Sequence, residues 1–427
     1  LGIFLKFRKY STTFWLTKGF FIALGLSVFL YSAWLGYSHP LVNTIAALSA
    51  LYLLLANDEK VWFAGGFWIG VLWFWWIAMS FRYYEFAWAI PIGVFMIAAV
   101  YGLLFWSVAY LSRLLEQRFR LSPLLPKATF LFAASAIHPF GFDWFKPELV
   151  FVESYLGIHK WQFAIILFAL ILFIQKGKLF YLVLTLFAYQ PTPKLPAAKD
   201  HIADIELVTT HITINDKWDP IQLKRHIDFV MQTIDEAADK NKKMVIFPES
   251  ILPVFLNKDQ ELLDMLKGKS ETISIVMGAL KLDETVPRNS TYIFQKSKYI
   301  IADKVVLVPF GESNPLPDRL GRWVNQIFYD GAVDYKAGTA LTDYRINDTT
   351  YRNAICYEAC SEKLYEGTPG HMIVLSNNGW FTPSIEPTLQ RLLLQYYSKK
   401  YGTIFYHSVN MSSSYIIQNG NVIYGHL

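Results

Sequence analysis

Across roughly its first 190 residues the chain is almost unbroken apolar sequence, interrupted only by short polar turns. A run of about 20 apolar residues crosses a bilayer as a helix, because a helix satisfies all its own main-chain N–H and C=O groups. This half is therefore restricted to membrane helices. Six such runs are plain, at 14–35, 40–56, 61–81, 86–111, 124–137 and 156–175, the fifth being short; Pro91 inside the fourth is tolerated in a membrane helix. Residues 179–189 form a marginal seventh. The first run is too long, and too plainly followed by others, to be a cleaved signal peptide.

Orientation follows from Lys and Arg in the short loops. With the N-terminus in the cytoplasm, eleven basic residues, among them Lys6, Arg8, Lys9, Lys176 and Lys178, lie inside against Arg82, Lys146 and Lys160 outside. Seven spans then place everything after residue 190 outside the cytoplasm, whereas six would place it inside. Lys176-Gly177-Lys178 reads as a tight cytoplasmic turn and favours seven. The loop 138–160 carries Phe140, Phe142, Trp144 and Phe145 and is expected to anchor at the interface as an aromatic belt, the other reading being a wall of a lipid entrance.

The second half is different in kind. Pro191, Pro193 and Pro196 stiffen a linker at 191–199, and residues 200–427 read as an ordinary α/β chain. Short β-branched runs at 205–209, 244–247, 273–279, 291–295, 299–306, 353–356, 372–375, 404–408 and 414–417 are predicted strands; 222–240 and 386–401 are predicted helices. Such alternation predicts layered sheets covered by helices. The net charge of +5 comes without a basic patch interleaved with aromatics, so nucleic acid is not an expected partner. The two cysteines, Cys356 and Cys360, make no disulfide framework and have no paired His nearby, so neither a metal nor a cofactor is expected.

Three predicted strand ends carry chemistry, and open α/β sheets gather their sites at strand ends. Phe247-Pro248-Glu249 puts a carboxylate just past a buried strand; Lys304 lies inside an otherwise apolar strand, followed by Val308-Pro309-Phe310-Gly311-Glu312; and Cys356 sits where a strand turns toward a helix. A carboxylate can take a thiol proton, and a cation can lower a thiol pKa and stabilise an oxyanion. Each residue alone also has an ordinary reading: a buried small hydrophobe for Cys356, a helix N-terminal carboxylate for Glu249, a surface Lys for Lys304. Their joint occurrence is what points to catalysis.

These segments resemble the three signatures of the nitrilase superfamily, and with the upstream spans they resemble the apolipoprotein N-acyltransferases of bacterial inner membranes. Asp216-Lys217-Trp218, Asn289-Ser290 and Ser376-Asn377-Asn378-Gly379-Trp380-Phe381 fit the same family. The resemblance implies a multi-span α-helical membrane domain (1–190) plus a nitrilase-like αββα sandwich (200–427) facing the periplasm. It implies Glu249 as general base, Lys304 at the oxyanion and Cys356 as nucleophile, with Glu312, Glu358 and the Tyr357 N–H in support. Trp218, Asn289 and Trp380 would contact substrate. The implied reaction moves an acyl chain from a membrane phospholipid, through a Cys thioester, to the N-terminal amine of a diacylglyceryl-Cys lipoprotein. The stretch 251–256 reads equally as an apolar arm toward the membrane or as a core-packing loop.

The resemblance has departures. Family positions usually holding His and Arg-x-x-Glu read Gln390 and Tyr397–Lys400, and a usual Thr-Asn-x-Gly reads Val409-Asn410-Met411-Ser412; the family usually has a last transmembrane helix after the soluble part, so the resemblance suggests a chain that is short or truncated there. They bear on the acceptor more than on the thiol. A membrane-tethered amidase using water as acceptor, and a catalytically silent lipid- or lipoprotein-binding module, stay open as alternatives.

Overall fold

A computed structural model describes residues 12–191, 203–314 and 335–425. Lys6, Arg8, Lys9 and most of the linker 191–199 lie outside the described residues. The chain divides into two compact units: Leu1–Pro139, Asp143–Thr192 and Pro383–Leu392 make the first, and Phe140–Phe142, Pro193–Thr382 and Leu393–Leu427 the second.

The first unit is helical. Its helices are α1 (Thr12–Trp34), α2 (Pro40–Leu55), α3 (Glu59–Phe74), α4 (Ile90–Phe119), α5 (Leu124–Ala133) and α6 (Lys160–Lys176), with 3-10 segments at Trp75–Tyr84 and Leu179–Ala188 among others. Local chemistry sets the boundaries. Asp58 caps α3 by accepting the Val61 N–H at 3.2 Å, and Gly177, at φ 65°, ends α6. Among the described residues three helices are long and apolar enough to cross a membrane, Thr13–Trp34, Glu59–Tyr83 and Ala87–Phe119; Pro40–Leu55 and Leu179–Ala188 are shorter apolar helices. The last is 3-10 in form over 10 residues, which at a rise of about 2 Å per residue reaches only ~20 Å.

Packing in this unit uses small residues and aromatic rings. A Cβ on Gly70 of α3 would fall 2.7 Å from the Ala98 Cα of α4, so only glycine lets these two backbones meet. The core holds Trp62, Trp73, Phe74 and Phe105. It also holds Trp144 and Phe145, which the sequence suggested as interfacial anchors. Trp144 packs 5.3 Å from Trp76, and Phe145 lies 5.7 Å from Trp73 and 5.3 Å from Tyr101. The rings have aromatic partners inside the bundle, which a belt position would not offer.

The second unit is two sheets. In chain order its strands are β1 (Ile205–Leu207), β2 (Thr209–Thr210), β3 (Met244–Ile246), β4 (Leu252–Phe255), β5 (Ser274–Asp283), β6 (Val286–Gln295), β7 (Lys298–Asp303), β8 (Asp343–Ile346), β9 (Thr349–Ile355), β10 (His371–Asn377), β11 (Ile404–Asn410), β12 (Tyr415–Gln418) and β13 (Asn421–Tyr424). One sheet runs β1-β3-β5-β6-β7 with β4 beside β5; the other runs β13-β12-β11-β10-β9-β8 with β2 beside β11.

Side-chain alternation explains the layers. On β3, Met244 and Ile246 join Ile205, Val276 and Ile293 to meet Tyr351, Ile373, Leu375 and Tyr406 of the other sheet. Val245, on the opposite face with Ile275, Met277 and Phe294, packs beneath helices α8 (Leu223–Asp239) and α9 (Gln260–Lys269), which follow the short helix α7 (Ile214–Trp218). Helix α10 (Glu386–Tyr401) meets the second sheet's side, where Gln395 Nε2 donates to the Gly420 carbonyl at 2.9 Å. The order is helix, sheet, sheet, helix, as expected. The stretch 251–256 is core in part: Ile251, Leu252 and Leu256 are buried with the α8 and α9 cluster, while Phe255 is 37% exposed.

Candidate active site

Three turns of the second unit carry the candidate side chains, and each contains a non-glycine residue in the left-handed region. Ser250 (φ 47°) follows Glu249, Phe310 (φ 62°) lies in the Pro-Phe-Gly turn before Glu312, and Cys356 itself has φ 54°. Such residues persist only where the surroundings enforce them, and they concentrate at functional turns.

Glu249 stands past the end of β3, where its turn lies against Gly278 of β5. A Cβ there would come within 2.7 Å of the Glu249 Cα, so the absence of a side chain at 278 sets how deep the turn can sit. The Glu249 carboxylate is buried, accepts the Asn289 amide at 2.7 Å on Oε1 and lies 3.9 Å from Lys304 Nζ. Burial raises its pKa, and Glu312 adds to this, against Lys304, Asn289 and Lys217.

Lys304 was expected inside a strand; it stands one residue past β7, its N–H still donating to the Asn289 carbonyl at 2.9 Å in the β6–β7 register, and the chain leaves the sheet just after it, where the Val305 and Val306 N–H groups turn to Glu358. Its ammonium is 1% exposed and contacts both Glu312 oxygens, at 2.9 and 2.8 Å. Burial alone would lower its pKa, but Glu312, Glu249 and Cys356 together raise it above the ordinary lysine value, so it is a fixed cation. Glu312 is held in turn by the Val308 N–H at 2.9 Å.

Cys356 begins a five-residue 3-10 turn, Cys356–Cys360, directly after β9. This is one tight turn and not the start of a longer helix. The two thiols differ: Cys356 is partly exposed, while Cys360 is fully buried. Glu358 braces the turn. Its Oε1 accepts the Ile355 N–H at 2.8 Å, and its Oε2 accepts the N–H groups of Val305 and Val306 at 2.7 and 2.9 Å. Tyr365 donates to the Ala359 carbonyl at 2.5 Å and Tyr397 to the Cys360 carbonyl at 2.9 Å, and the two rings stack at 4.1 Å. Tyr357 is buried beside Phe142, with its hydroxyl donating to the Gly141 carbonyl at 3.2 Å.

The structure thus gathers Glu249, Lys304 and Glu312 in direct contact, sets Cys356 within electrostatic reach of Lys304, and gives Glu358 a brace's position. Asn289, expected to contact substrate, instead gives both amide hydrogens to carboxylates, to Glu249 and, at 3.1 Å, to Glu312. Trp218 is 40% exposed at the end of α7, and Trp380 is partly exposed in the 3-10 turn Asn378–Trp380 after β10.

Two further residues appear in the sequence only within motifs, without a role of their own. Lys217 is as buried as Lys304 and donates to the Glu249 main-chain carbonyl at 3.0 Å. Asn410, at the end of β11, bonds the N–H and C=O of Ile212 at 2.9 and 2.8 Å and the Asn377 side chain at 2.8 Å, which fixes the loop leading to Lys217 and Trp218. The signal for Lys217 was the Lys-Trp pair itself; for Asn410 there was only a strand-end Asn.

The apolipoprotein N-acyltransferase integral membrane domain family matches residues 13–191. The apolipoprotein N-acyltransferase of Wolinella succinogenes is 41% identical over 425 residues, 98% of each chain. The chain belongs to the apolipoprotein N-acyltransferase family. Relatives from Helicobacter pylori, 35% identical over 89% of this chain and 88% of theirs, and Campylobacter jejuni, 34% identical over 96% and 91%, carry the same name. Among solved structures, a nitrilase-superfamily amidase from Nesterenkonia aligns with 52% of this chain and 85% of its own, at 10% identity and a TM-score of 0.40. As a member of the apolipoprotein N-acyltransferases the chain is an acyltransferase with an integral membrane domain.

Proposed function

We propose that this acyltransferase takes a fatty acyl chain from a membrane phospholipid onto Cys356 and passes it to the N-terminal amine of a diacylglyceryl-Cys lipoprotein. The observation that carries the reading is Lys304 held between Glu249 and Glu312, with a cysteine presented on a left-handed turn in its field. Glu249 accepts the Cys356 proton, and the thiolate attacks the phospholipid ester carbonyl. Lys304 and the Tyr357 N–H, at the start of the 3-10 turn, stabilise the oxyanion. Collapse breaks the ester bond, Glu249 returns the proton to the departing lysophospholipid oxygen, and a thioester remains. The acceptor amine then attacks the thioester carbonyl, Glu249 takes the amine proton, and collapse releases the amide and regenerates the thiol.

A thioester lets two large lipid substrates use the site in turn, which is ping-pong logic. Keeping an acyl chain out of water also matters, since each exposed CH₂ costs about 0.8 kcal/mol. The seven-span arrangement, with the 200–427 domain on the periplasmic face of the inner membrane, supplies that setting.

The test is the intact mass of the purified full chain before and after mixing with phospholipid. An acyl-sized increment mapped to Cys356, discharged by a diacylglyceryl-Cys peptide with formation of an amide, is expected. Discharge to water at the same rate without the amine would instead make the enzyme an amidase-type hydrolase. No increment, with activity retained in Cys356→Ser, would overturn the reading.

A further inference from the structure

Lys217 has no part in the scheme above, yet it is buried as deeply as Lys304. A buried cation is costly unless its charge is matched or used. The charge of Lys304 is matched, with Glu312 at 2.8 Å and Glu249 at 3.9 Å. That of Lys217 is not: its Nζ donates to a neutral main-chain oxygen, the Glu249 carbonyl, and among the described residues no carboxylate lies within ion-pair distance of it.

Two consequences follow from this placement. The hydrogen bond holds the main chain of the very residue whose carboxylate Asn289 holds at 2.7 Å, so the Glu249 turn is pinned at both ends. The unmatched charge also acts on its surroundings: Glu249 and Cys356 are the two groups whose negative charge favours the charged form of Lys217. Lys304 also acts on Cys356, but its charge is shared with Glu312 and Glu249, which it contacts directly.

We propose that Lys217 is a positioning residue for the acyltransferase reaction, pinning the Glu249 turn through its carbonyl and supplying the uncompensated cation that favours the Cys356 thiolate. The inference rests on Cys356 being the nucleophile. It separates two roles that the Glu-Lys-Cys arrangement gives to one lysine: Lys304 serves the oxyanion, and Lys217 serves the thiolate. The other charged groups around Lys217 do not supply this cation. His226 is held below the usual imidazole range, by burial first and then by Lys217 itself, with Asp216 acting to raise it and Arg225 to lower it. Burial lowers Lys217 to about 8, so its charge is present at neutral pH and is lost above it.

The test is the pH profile of iodoacetamide alkylation at Cys356, read by peptide mass in the full-length detergent-solubilised protein. Lys217→Met removes the charge, Lys217→Gln removes it while keeping a hydrogen-bond donor, and Lys217→Arg keeps it. Both uncharged variants should raise the apparent thiol pKa by about one unit or more, and Lys217→Arg should not. A folded Lys217→Met or Lys217→Gln with an unshifted profile overturns the proposal. If neither uncharged variant folds, the wild-type profile decides: a second step near pH 8, where Lys217 loses its proton, supports the role, and a single ionisation throughout overturns it. Failure of the underlying reading looks different, since a wild-type Cys356 that is never acylated by phospholipid removes the nucleophile whatever the variants do.

Discussion

The Glu358 carboxylate accepts the main-chain N–H of Val305 at 2.7 Å, fastening the turn that presents Cys356 to the segment that presents Lys304. With the Ile355 and Val306 N–H groups it satisfies three donors at once, those of Val305 and Ile355 buried and that of Val306 partly so. Glu358→Ala should leave these donors unpaired, cost about 2–4 kcal/mol and lower activity about 10²-fold through misplacement of the thiol. Burial pushes the Glu358 pKa up to about 7, against Lys304 and the three N–H groups. A carboxyl raised in the folded state gives stability that is full below its ordinary value and is lost as pH rises through 7. The stability difference between wild type and Glu358→Gln, which cannot ionise, should therefore move in favour of Glu358→Gln as pH rises through 7 in thermal unfolding across pH 4–9; a difference that does not change with pH would show that Glu358 keeps one charge state throughout.

Glu249 and Lys304 are the residues whose removal should stop acylation itself. Glu249→Gln keeps the shape and loses the base; Lys304→Ala loses the oxyanion cation and leaves Glu249 and Glu312 facing each other. Both should accumulate no acyl-enzyme, with losses on the order of 10²–10⁴ in rate. Because burial raises the Glu249 pKa, and the base works only when deprotonated, activity should fall with acid at a higher pH than an ordinary carboxylate would give. An acylated Glu249→Gln protein in a mass-spectrometric trap would take Glu249 out of the mechanism.

The two cysteines offer a sharper contrast. Cys356 is partly exposed on a left-handed turn, while Cys360 is buried with its carbonyl held by Tyr397 at 2.9 Å. Cys356→Ser should abolish acyl transfer. Cys360→Ser should keep it, with a stability loss of about 1 kcal/mol for burying a hydroxyl. The reverse pattern in a transfer assay would mean that the nucleophile is Cys360.

Much of this site could be read from sequence because its parts sit at ends of apolar runs, and a polar residue there interrupts an obvious period. Glu249 after Met244–Ile246 and Cys356 after Thr349–Ile355 were visible in that way. Lys304 was assigned to the strand it follows, since nothing in Val305-Val306 announces that their N–H groups turn to Glu358. Lys217 was invisible as a buried group, because a lysine in a short polar stretch reads as solvated until the fold puts it under Glu249. In the helical half, apolar length located the helices, but not that Trp144 and Phe145 would fold inward, which depends on partners more than sixty residues away in Trp76 and Trp73.

Topology has its own test. The basic residues favour a cytoplasmic N-terminus, and the compartment of the second unit then depends on whether Leu179–Ala188 and its flanks cross the membrane. A reporter fused after Lys199, which lies outside the described residues, should be extracytoplasmic. A cytoplasmic signal would sink the seven-span arrangement and the periplasmic lipoprotein substrate with it.

Trp218 separates acyl loading from acyl release. It follows the buried Lys217 on the short helix α7 yet is 40% exposed, so its ring is not ordinary core. A large amphipathic ring in that position does no proton transfer, but it can bear against a lipid or a lipid-modified peptide. Trp218→Ala gives up the buried part of the ring and should cost about 1–3 kcal/mol of stability, leaving the protein folded. The acid–base groups are untouched, so phospholipid should still acylate Cys356, more slowly if at all changed. Discharge to the diacylglyceryl-Cys amine should fall about tenfold or more, because the acceptor brings further acyl chains and a peptide that must be oriented against the thioester. Trp380, partly exposed after β10, should behave in the same way but more weakly. Single-turnover loading followed by addition of the acceptor peptide measures the two steps separately. Loading and release slowed by the same factor would assign Trp218 to the shape of the site as a whole, and normal release would remove it from the acceptor side.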